Sequence, residues 1–158
     1  MMKMLVDFMY SWIVNFPMMV ALIALLLAQT VKIIYYGFKE GKINFSHFFE
    51  TGGMPSSHSA MVCGLTVAIG LTMGWRSPVF AVAFIFSLVV MYDAMGVRRA
   101  ASEQANILNK LVAEVYSEGN VEIEKLKEKI GHFPGEVFAG ALLGVAVSVV
   151  LYALIYLM

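Results

Sequence analysis

The stretch SAMVCGLTVAIGLTMGW (Ser59–Trp75) is followed after two residues by PVFAVAFIFSLVVMYDA (Pro78–Ala94), and together they decide the fold. Asp93 is the only charged side chain in either stretch, and each is about as long as the shortest helix that crosses a bilayer, roughly 17 residues. The segment Gly74–Ser77 that joins them is too short for anything but a turn. The sequence therefore predicts two membrane-spanning helices that form a hairpin.

The composition of the whole chain agrees with a membrane protein. Of its 158 residues, 60% are hydrophobic and 14% are charged, whereas soluble domains have about 45–50% apolar and about 25% charged residues. The chain has 11 Lys and Arg against 11 Asp and Glu, so it has no basic excess with which to bind nucleic acid. Cys63 is the single cysteine, which excludes a disulfide scaffold and a zinc site made of several cysteines.

Two further apolar stretches, residues 8–28 and 137–158, bring the number of predicted spans to four. We therefore predict an all-α fold, an integral membrane four-helix bundle that forms a single membrane domain over residues 1–158. The loop between the third and fourth spans is predicted to be helical over about residues 100–130. Its apolar residues recur with helical spacing, which is typical of an amphipathic helix that lies on the membrane surface or covers the loops. They are Ile107, Leu108, Leu111, Val112 and Val115.

The distribution of basic residues predicts the orientation of the chain in the membrane. With four spans, the loop between the first and second spans and the loop between the third and fourth spans lie on one side of the membrane. The two termini and the hairpin turn lie on the other side. The long loops hold nine of the 11 Lys and Arg residues, and Lys3 and Arg76 are the other two. By the positive-inside rule the loops are cytoplasmic and both termini lie outside, and we expect the bacterial cytoplasmic membrane as the location.

Gly140 and Gly144 lie four residues apart in the fourth span, next to two alanines. Small residues at this spacing let two helices approach closely. The sequence leaves open whether this contact is formed within one chain or between the two chains of a homodimer.

Two of the predicted helices begin at the same face of the membrane, and each carries a histidine at its start. The second span follows a Gly-Gly-Met-Pro-Ser-Ser-His run, in which Ser56 or Ser57 can cap the helix and His58 falls in its first turn. The fourth span follows His132, and Glu136 lies four residues later. At this spacing the carboxylate can accept a hydrogen bond from one imidazole nitrogen, which leaves the other nitrogen free to act.

The surroundings of these helix starts predict a phosphoryl-transfer site. Helix N-termini favour bound phosphate, because their N–H groups are unpaired and the helix dipole is positive there. Basic side chains near the ends of the neighbouring spans would stabilise the charge of the transferred group. They are Lys32, Lys39, Arg98 and Arg99. These residues require no metal and no cofactor, and the sequence has no tight cluster of carboxylates of the kind that holds magnesium.

Taken alone, each of these residues also has a structural interpretation. Ser56 and Glu136 could serve only the helix ends, and the lysines could anchor the chain at the membrane interface. Asp93, which is costly within a membrane unless it is paired, is expected to form a salt bridge with Arg98 or to cap a helix rather than to support the site. His47 has no partner in any sequence pattern. Two histidines at two helix starts on one side are harder to explain in this way.

The two histidine motifs resemble those of the type 2 phosphatidic acid phosphatase superfamily, which includes vanadium haloperoxidases, and in particular its small divergent membrane branch. Pro55–His58 is similar to the family's P-S-G-H motif, with Ser57 in place of glycine. His132–Ala141 is similar to the end of the family's third motif, S-R-x5-H-x3-D, with Glu136 in place of aspartate.

The rest of the family's pattern is matched more loosely. Lys32 and Lys39 have the spacing of its first motif, K-x6-R-P, with Lys39 in place of the arginine. Leu126 stands where the third motif has its arginine. Arg98 or Arg99 would take that place if the loop that follows them is an insertion.

The resemblance implies a mechanism in which His132 is the nucleophile, Glu136 orients it and His58 protonates the leaving alkoxide. The phosphoryl oxygens would be held by basic side chains and by the second motif: Lys32, Lys39, Ser56, the Ser57 N–H and Arg98 or Arg99. Vanadate would occupy the same pocket as a mimic of the pentacoordinate phosphoryl group. The predicted function is a metal-independent hydrolase of a phosphomonoester or diphosphate of a membrane lipid, such as phosphatidate or phosphatidylglycerophosphate.

Two other functions are open at this point. The chain could be a membrane protein without catalysis that binds or transports anionic lipid headgroups in a degenerate phosphatase pocket. It could also be a vanadate enzyme similar to the haloperoxidases, although a small membrane-embedded chain speaks against that. The effect of His132→Ala on phosphate release would separate the first of these from a phosphatase.

Overall fold

Five α-helices make up the part of the chain that the computed structural model describes, residues 15–42, 52–115, 126 and 131–158. They are α1 (Phe16–Glu40), α2 (Ser57–Met73), α3 (Pro78–Met95), α4 (Val97–Val115) and α5 (Pro134–Tyr156). No strand occurs among these residues. The predicted all-α fold is confirmed.

Three stretches of the described chain are long and apolar enough to cross a membrane: Phe16–Lys39, Pro78–Glu114 and Pro134–Tyr156. The second of them joins α3 to α4, and its apolar part is α3, because α4 is much more polar. The helix α2 is also apolar but has only 17 residues, the lower end of the range for a spanning helix, about 17–25 residues. The chain is thus a helical membrane bundle of α1, α2, α3 and α5.

The first helix differs most from its prediction. The sequence predicts a span over residues 8–28, whereas α1 runs from Phe16 to Glu40; residues 8–14 lie outside the described part. The Asn15 side chain caps its first turn, and Gly41, with φ of +69°, ends it. The helix continues past the predicted end of the span at residue 28, and Lys32, which lies beyond that end, is fully buried in the bundle.

The other bundle helices begin close to their predicted positions, because their start signals are local. Ser56 caps α2 and Ser77 caps α3, each accepting a hydrogen bond from a backbone N–H three residues later. Pro78 and Pro134 are the first residues of α3 and α5, a position that proline suits because a helix leaves that N–H unbonded in any case.

The helix α2 lies at the centre of the bundle and packs against α1, α3 and α5. Its closest approach is to α5, where a side chain at Gly140 would meet the backbone of Ser56, and one at Gly144 would meet the backbone of Ala60. The close contact that the sequence leaves open is therefore made within one chain.

The core of the bundle is formed by small and medium-sized side chains: Phe16, Val20, Ala24, Ala28, Ala60, Ala68 and Val147. A buried hydrogen bond adds to the contact of α5 with α2, since the Ser148 hydroxyl lies 2.7 Å from the Gly64 carbonyl oxygen. The backbones approach closely because the side chains between them are small. This packing fixes the spacing of the two helix starts that carry the histidines.

The loop helix α4 contacts only α3 among the described helices. Its large apolar residues are not covered by the rest of the described chain, and polar residues occupy most of its other positions. The predicted amphipathic helix is therefore confirmed. These apolar residues are Ile107, Leu108 and Leu111. Of the predicted helical region 100–130, α4 covers the part up to residue 115, and most of the remainder lies outside the described residues. Leu126 is held by Asn109, whose side-chain amide makes hydrogen bonds of 2.9 and 3.0 Å with the Leu126 backbone.

Candidate functional site

The ends of four helices meet around a small cavity of about 20 Å³. His58 comes from the start of α2, Asp93 from the last turn of α3, Arg98 from the start of α4, and His132 lies just before α5. Val90 and Ala94 complete the described lining. A volume of this size has room for about one water molecule. The two histidines that the sequence places at two helix starts therefore face one cavity.

The His132 ring is held by the carboxylate of Glu136. Its Nδ1 lies 2.9 Å from Glu136 Oε2, and the histidine is only 3% exposed. The backbone N–H of His132 also donates to the Ala94 carbonyl, at 3.1 Å, which ties this residue to the end of α3. Because Nδ1 is engaged, Nε2 is the ring nitrogen left for chemistry.

Glu136 has a second role at the start of α5. The same Oε2 accepts a hydrogen bond from the Phe133 N–H at 3.2 Å, so the carboxylate satisfies one of the unpaired N–H groups of the helix end. Glu136 thus makes both of the contacts that the sequence predicts, one at the helix end and one with the imidazole. Its interaction with the imidazole is the part that a helix cap does not require.

His58 is positioned by the cap of α2. Ser56 is fully buried, its hydroxyl lies 3.0 Å from that of Ser59, and its backbone N–H donates to the Glu136 carbonyl at 2.9 Å. Ser57 is also buried. The hydrogen bond from the Ser56 N–H to the Glu136 carbonyl links the two histidine-bearing helix starts directly through the main chain.

The structure distinguishes the two adjacent arginines. Arg98 lines the cavity, and its Nε donates to Asp93 Oδ2 at 2.6 Å, so the predicted salt bridge is confirmed. Arg99 instead pairs with Glu103 at 3.1 Å, and its guanidinium lies 5.2 Å from the centre of the Phe133 ring. Nε is one of the five N–H donors of a guanidinium, so the Asp93 contact does not use up the capacity of Arg98.

The two lysines of the first motif lie at different depths. Lys32 is fully buried, which is rare for lysine. Lys39 is exposed in the last turn of α1, about 10 Å further along the helix axis. Neither lysine is among the described residues that line the cavity, and of the two only Lys32 lies inside the bundle.

Two features near the site were not evident from sequence patterns. Asp93 lines the cavity itself besides pairing with Arg98. Tyr36 packs against the loop before α2, where a Cβ at Gly53 would lie 2.7 Å from the Tyr36 hydroxyl oxygen. The paired glycines ahead of the Pro-Ser-Ser-His run are the signal that could have indicated such a close approach. His47 lies outside the described residues.

Within residues 15–42, 52–115, 126 and 131–158, no group of three or more His, Cys, Asp and Glu side chains is arranged to hold a metal ion. Cys63 is a packing residue, with its sulfur 3.8 Å from that of Met91. The described site consists of histidine, carboxylate, hydroxyl and cationic groups.

Fold and site together define a helical membrane protein with two histidines and an arginine at one shared end of its helices. The chain belongs to the Divergent PAP2 family, whose sequence model matches residues 13–147. This confirms the resemblance seen in the two histidine motifs.

A relative with a similar sequence is the uncharacterized membrane protein YuiD of Bacillus subtilis (strain 168). It is 41% identical to this chain over 148 residues, which cover 87% of this chain and 94% of the relative. No solved structure matches the chain. The family is thereby established, and the activity has to be argued from the site.

Proposed function

We propose that this protein is a metal-independent phosphatase that hydrolyses a phosphomonoester or diphosphate of a membrane lipid. The observation that carries the proposal is the cavity in which His58, His132 and Arg98 meet, with Glu136 hydrogen-bonded to the imidazole of His132. A histidine whose Nδ1 is held by a carboxylate is suited to nucleophilic attack through Nε2. A cation beside it stabilises the charge of the transferred phosphoryl group.

The proposed reaction has two steps. In the first, a bond forms between His132 Nε2 and phosphorus, and the bond from phosphorus to the leaving oxygen breaks. That oxygen belongs to the lipid alcohol in a monoester and to the lipid monophosphate in a diphosphate, and His58 gives it a proton. In the second, the oxygen of a water molecule bonds to phosphorus, His58 takes up a proton of that water, and the bond from phosphorus to Nε2 breaks, so that inorganic phosphate leaves and His132 is restored. Arg98 and Lys32 hold the phosphoryl oxygens in both steps, together with the N–H groups at the start of α2.

The test is release of inorganic phosphate from a panel of lipid phosphates in detergent micelles with excess EDTA. The panel includes phosphatidate, phosphatidylglycerophosphate and a polyprenyl diphosphate. His132→Ala and His58→Ala are compared with wild type, and His47→Ala, which removes the third histidine of the chain, is the matched control. We expect release that persists in EDTA, disappears in the first two variants and survives in the control.

Any of three results would overturn the proposal. The first is a folded wild-type protein that releases phosphate from no lipid of the panel. The second is release that EDTA abolishes, and the third is release that continues unchanged in His132→Ala. Vanadate binding serves as a second readout, because a pocket for a transferred phosphoryl group should also accept this mimic.

A second candidate function is lipid binding or transport without hydrolysis. The observation that favours it is the pairing of Arg98 with Asp93 in the lining of the cavity, since a carboxylate beside the arginine reduces the positive charge that a transferred phosphoryl group would meet. In this case His132→Ala would weaken the binding of lipid phosphates, and no variant would change phosphate release, because none occurs.

The orientation of the site decides which leaflet supplies the substrate. The excess of basic residues in the long loops supports a site that opens to the cytoplasm of a bacterial cell, where phosphatidate and phosphatidylglycerophosphate would be accessible from the inner leaflet. Labelling of single cysteines in intact cells tests this, with Cys63→Ser as the background and Arg98→Cys as the reporter. Labelling of the reporter by a reagent that does not cross the membrane would show that the site faces the outside of the cell instead.

A further inference from the structure

The side chains of Asp93 and Arg98 meet where α3 passes into α4. Asp93 lies in the last turn of α3, Arg98 lies in the first turn of α4, and Gly96 separates the two helices. The Arg98 Nε donates to Asp93 Oδ2 at 2.6 Å, and both residues line the histidine cavity. This ion pair therefore belongs to the wall of the cavity.

The contact depends on the interruption of the helix at Gly96. Residues five apart in a continuous α-helix lie about 140° apart around its axis, so their side chains do not face each other. Gly96 has φ of −102° and ψ of −85°, which lie outside the α-helical region. The break thus permits a pairing of Asp93 with Arg98 that a regular helix would not allow.

The backbone at Arg98 is held close to the segment that carries His132. A Cβ at Gly131 would lie 2.8 Å from the carbonyl carbon of Arg98, and the His132 N–H donates to the Ala94 carbonyl at 3.1 Å. The start of α4 is therefore fixed beside the proposed nucleophile. What remains to be fixed is the side chain of Arg98, which is long and has many rotamers.

The ion pair restricts this side chain and leaves N–H groups available for a phosphate. Nε carries one of the five N–H donors of a guanidinium, and the other four lie on the two Nη atoms. Because the guanidinium is planar, a bond at Nε limits the orientation of the whole group. Arginine commonly binds phosphate through two parallel N–H donors, and the Nη atoms can supply them while Asp93 holds Nε.

We propose that Asp93 is a positioning residue, which holds Arg98 so that the Nη groups of its guanidinium meet the phosphoryl oxygens. The inference rests on the proposed function and adds to it a residue outside the two histidine motifs. The pair of Arg99 with Glu103 provides the matched control. These two residues lie four apart on one helix, both are exposed, and neither is among the described residues that line the cavity.

A carboxylate beside an arginine can also act in the opposite direction, by reducing the positive charge that a phosphate meets. Two substitutions separate these effects. Asp93→Asn removes the charge but keeps an oxygen that can accept the hydrogen bond from Nε, whereas Asp93→Ala removes both. If Asp93 positions Arg98, Asp93→Asn should retain function and Asp93→Ala should lose it. If the charge decides, both variants should bind phosphate more tightly than wild type does.

The test measures kcat/KM for phosphate release from radiolabelled phosphatidate, and the binding of vanadate, on the full chain in detergent. We expect Asp93→Ala to lower both by about tenfold or more, because misplacing a group at a reacting centre can cost about a hundredfold. Asp93→Asn should stay within about threefold of wild type, since a neutral acceptor makes a weaker hydrogen bond than a carboxylate does. Glu103→Ala should stay within about twofold, as expected for an exposed ion pair.

A double substitution shows whether Asp93 acts through the arginine. In the Arg98→Ala background, Asp93→Ala should cause no further loss of release or of vanadate binding. A further loss would overturn the inference, and so would an equal loss in Asp93→Asn and Asp93→Ala, or tighter vanadate binding by Asp93→Ala. Circular dichroism shows that each variant is folded at the assay temperature. Asp93→Ser, whose hydroxyl group is too short to reach Nε, takes the place of Asp93→Ala if that variant does not fold.

Vanadate binding separates this inference from the proposed function. If wild type releases no phosphate but vanadate binding follows the expected order of variants, Asp93 positions Arg98 for an anion and the phosphatase proposal fails. If wild type releases phosphate and Asp93→Ala releases it as fast, the positioning inference fails and the phosphatase proposal stands. A wild type that neither binds vanadate nor releases phosphate overturns both.

Discussion

The close approach of α5 to α2 can be tested by the substitution Gly140→Ala. A Cβ at this position would meet the carbonyl oxygen, the carbonyl carbon and the nitrogen of Ser56. These are backbone atoms, which cannot rotate away as a flexible side chain can. The Ser56 N–H is also hydrogen-bonded to the Glu136 carbonyl at 2.9 Å, so displacement of this segment would pull the two helix starts apart.

The size of the effect follows from a comparison with Gly135→Ala on the same helix. A Cβ at Gly135 would have nothing within 4 Å of it. The gain in helix propensity, about 1 kcal/mol in a helix interior, is no larger at Gly135 than at Gly140, because Gly135 lies in the first turn of α5. Any lower stability of Gly140→Ala relative to Gly135→Ala therefore comes from overpacking, which costs about 1–3 kcal/mol. For a chain of this size that corresponds to a difference in melting temperature of roughly 2–12 °C.

The assay is thermal unfolding of both variants in one detergent, followed by circular dichroism, with phosphate release measured on the same preparations. We expect Gly140→Ala to melt below Gly135→Ala and to lose phosphate release. Equal melting temperatures for the two variants would refute the reasoning, because α2 and α5 would then have room to spare at Ser56.

Three further predictions concern other contacts of the described chain. Arg98→Lys should lower phosphate release about tenfold or more, since hydrogen bonds to charged groups contribute about 1.5–3 kcal/mol, while Arg99→Lys should stay within about twofold of wild type; the reverse order would mean that the site uses the other arginine. Ser148→Ala should lower the free energy of unfolding by only about 0.6 kcal/mol, the average for hydrogen bonds between membrane helices, and a loss above about 2 kcal/mol in denaturant unfolding would contradict this. Asn15→Ala should cost about 1 kcal/mol through loss of the α1 cap, and an unchanged melting temperature would show that the cap contributes nothing.

The helix bounds show which sequence signals are sufficient to predict where a helix begins or ends. The starts of α2, α3 and α5 could be predicted because Ser56, Ser77 and Pro134 act within one helical turn. The end of α1 could not be predicted, because the hydropathy pattern places the end of the span before Lys32. Lys32 is buried in the bundle, where α1 contacts α2 and α5, and these helices are distant from it in sequence.

The contacts of the site likewise include some that a local sequence pattern predicts and others that it does not. The contact between His132 and Glu136 follows from a spacing of four residues and is present at 2.9 Å. The choice between Arg98 and Arg99 depends on the direction in which α4 leaves α3 after Gly96, which no local pattern encodes. For Gly140, the sequence pattern likewise could not show whether the helix that it contacts belongs to the same chain or to a second chain.

The arrangement of the site also separates two kinds of variants. Both histidine-bearing segments are tied down by main-chain hydrogen bonds, Ser56 to the Glu136 carbonyl and His132 to the Ala94 carbonyl. Substitution of a histidine side chain removes chemistry but leaves these bonds intact, so phosphate release should be lost without a matching loss of stability. Substitution of Gly140 leaves every proposed reacting group in place and displaces the backbone that holds them, so stability and phosphate release should fall together. The position of the proposed catalytic groups thus depends on helix packing, and their proposed chemistry depends on the side chains.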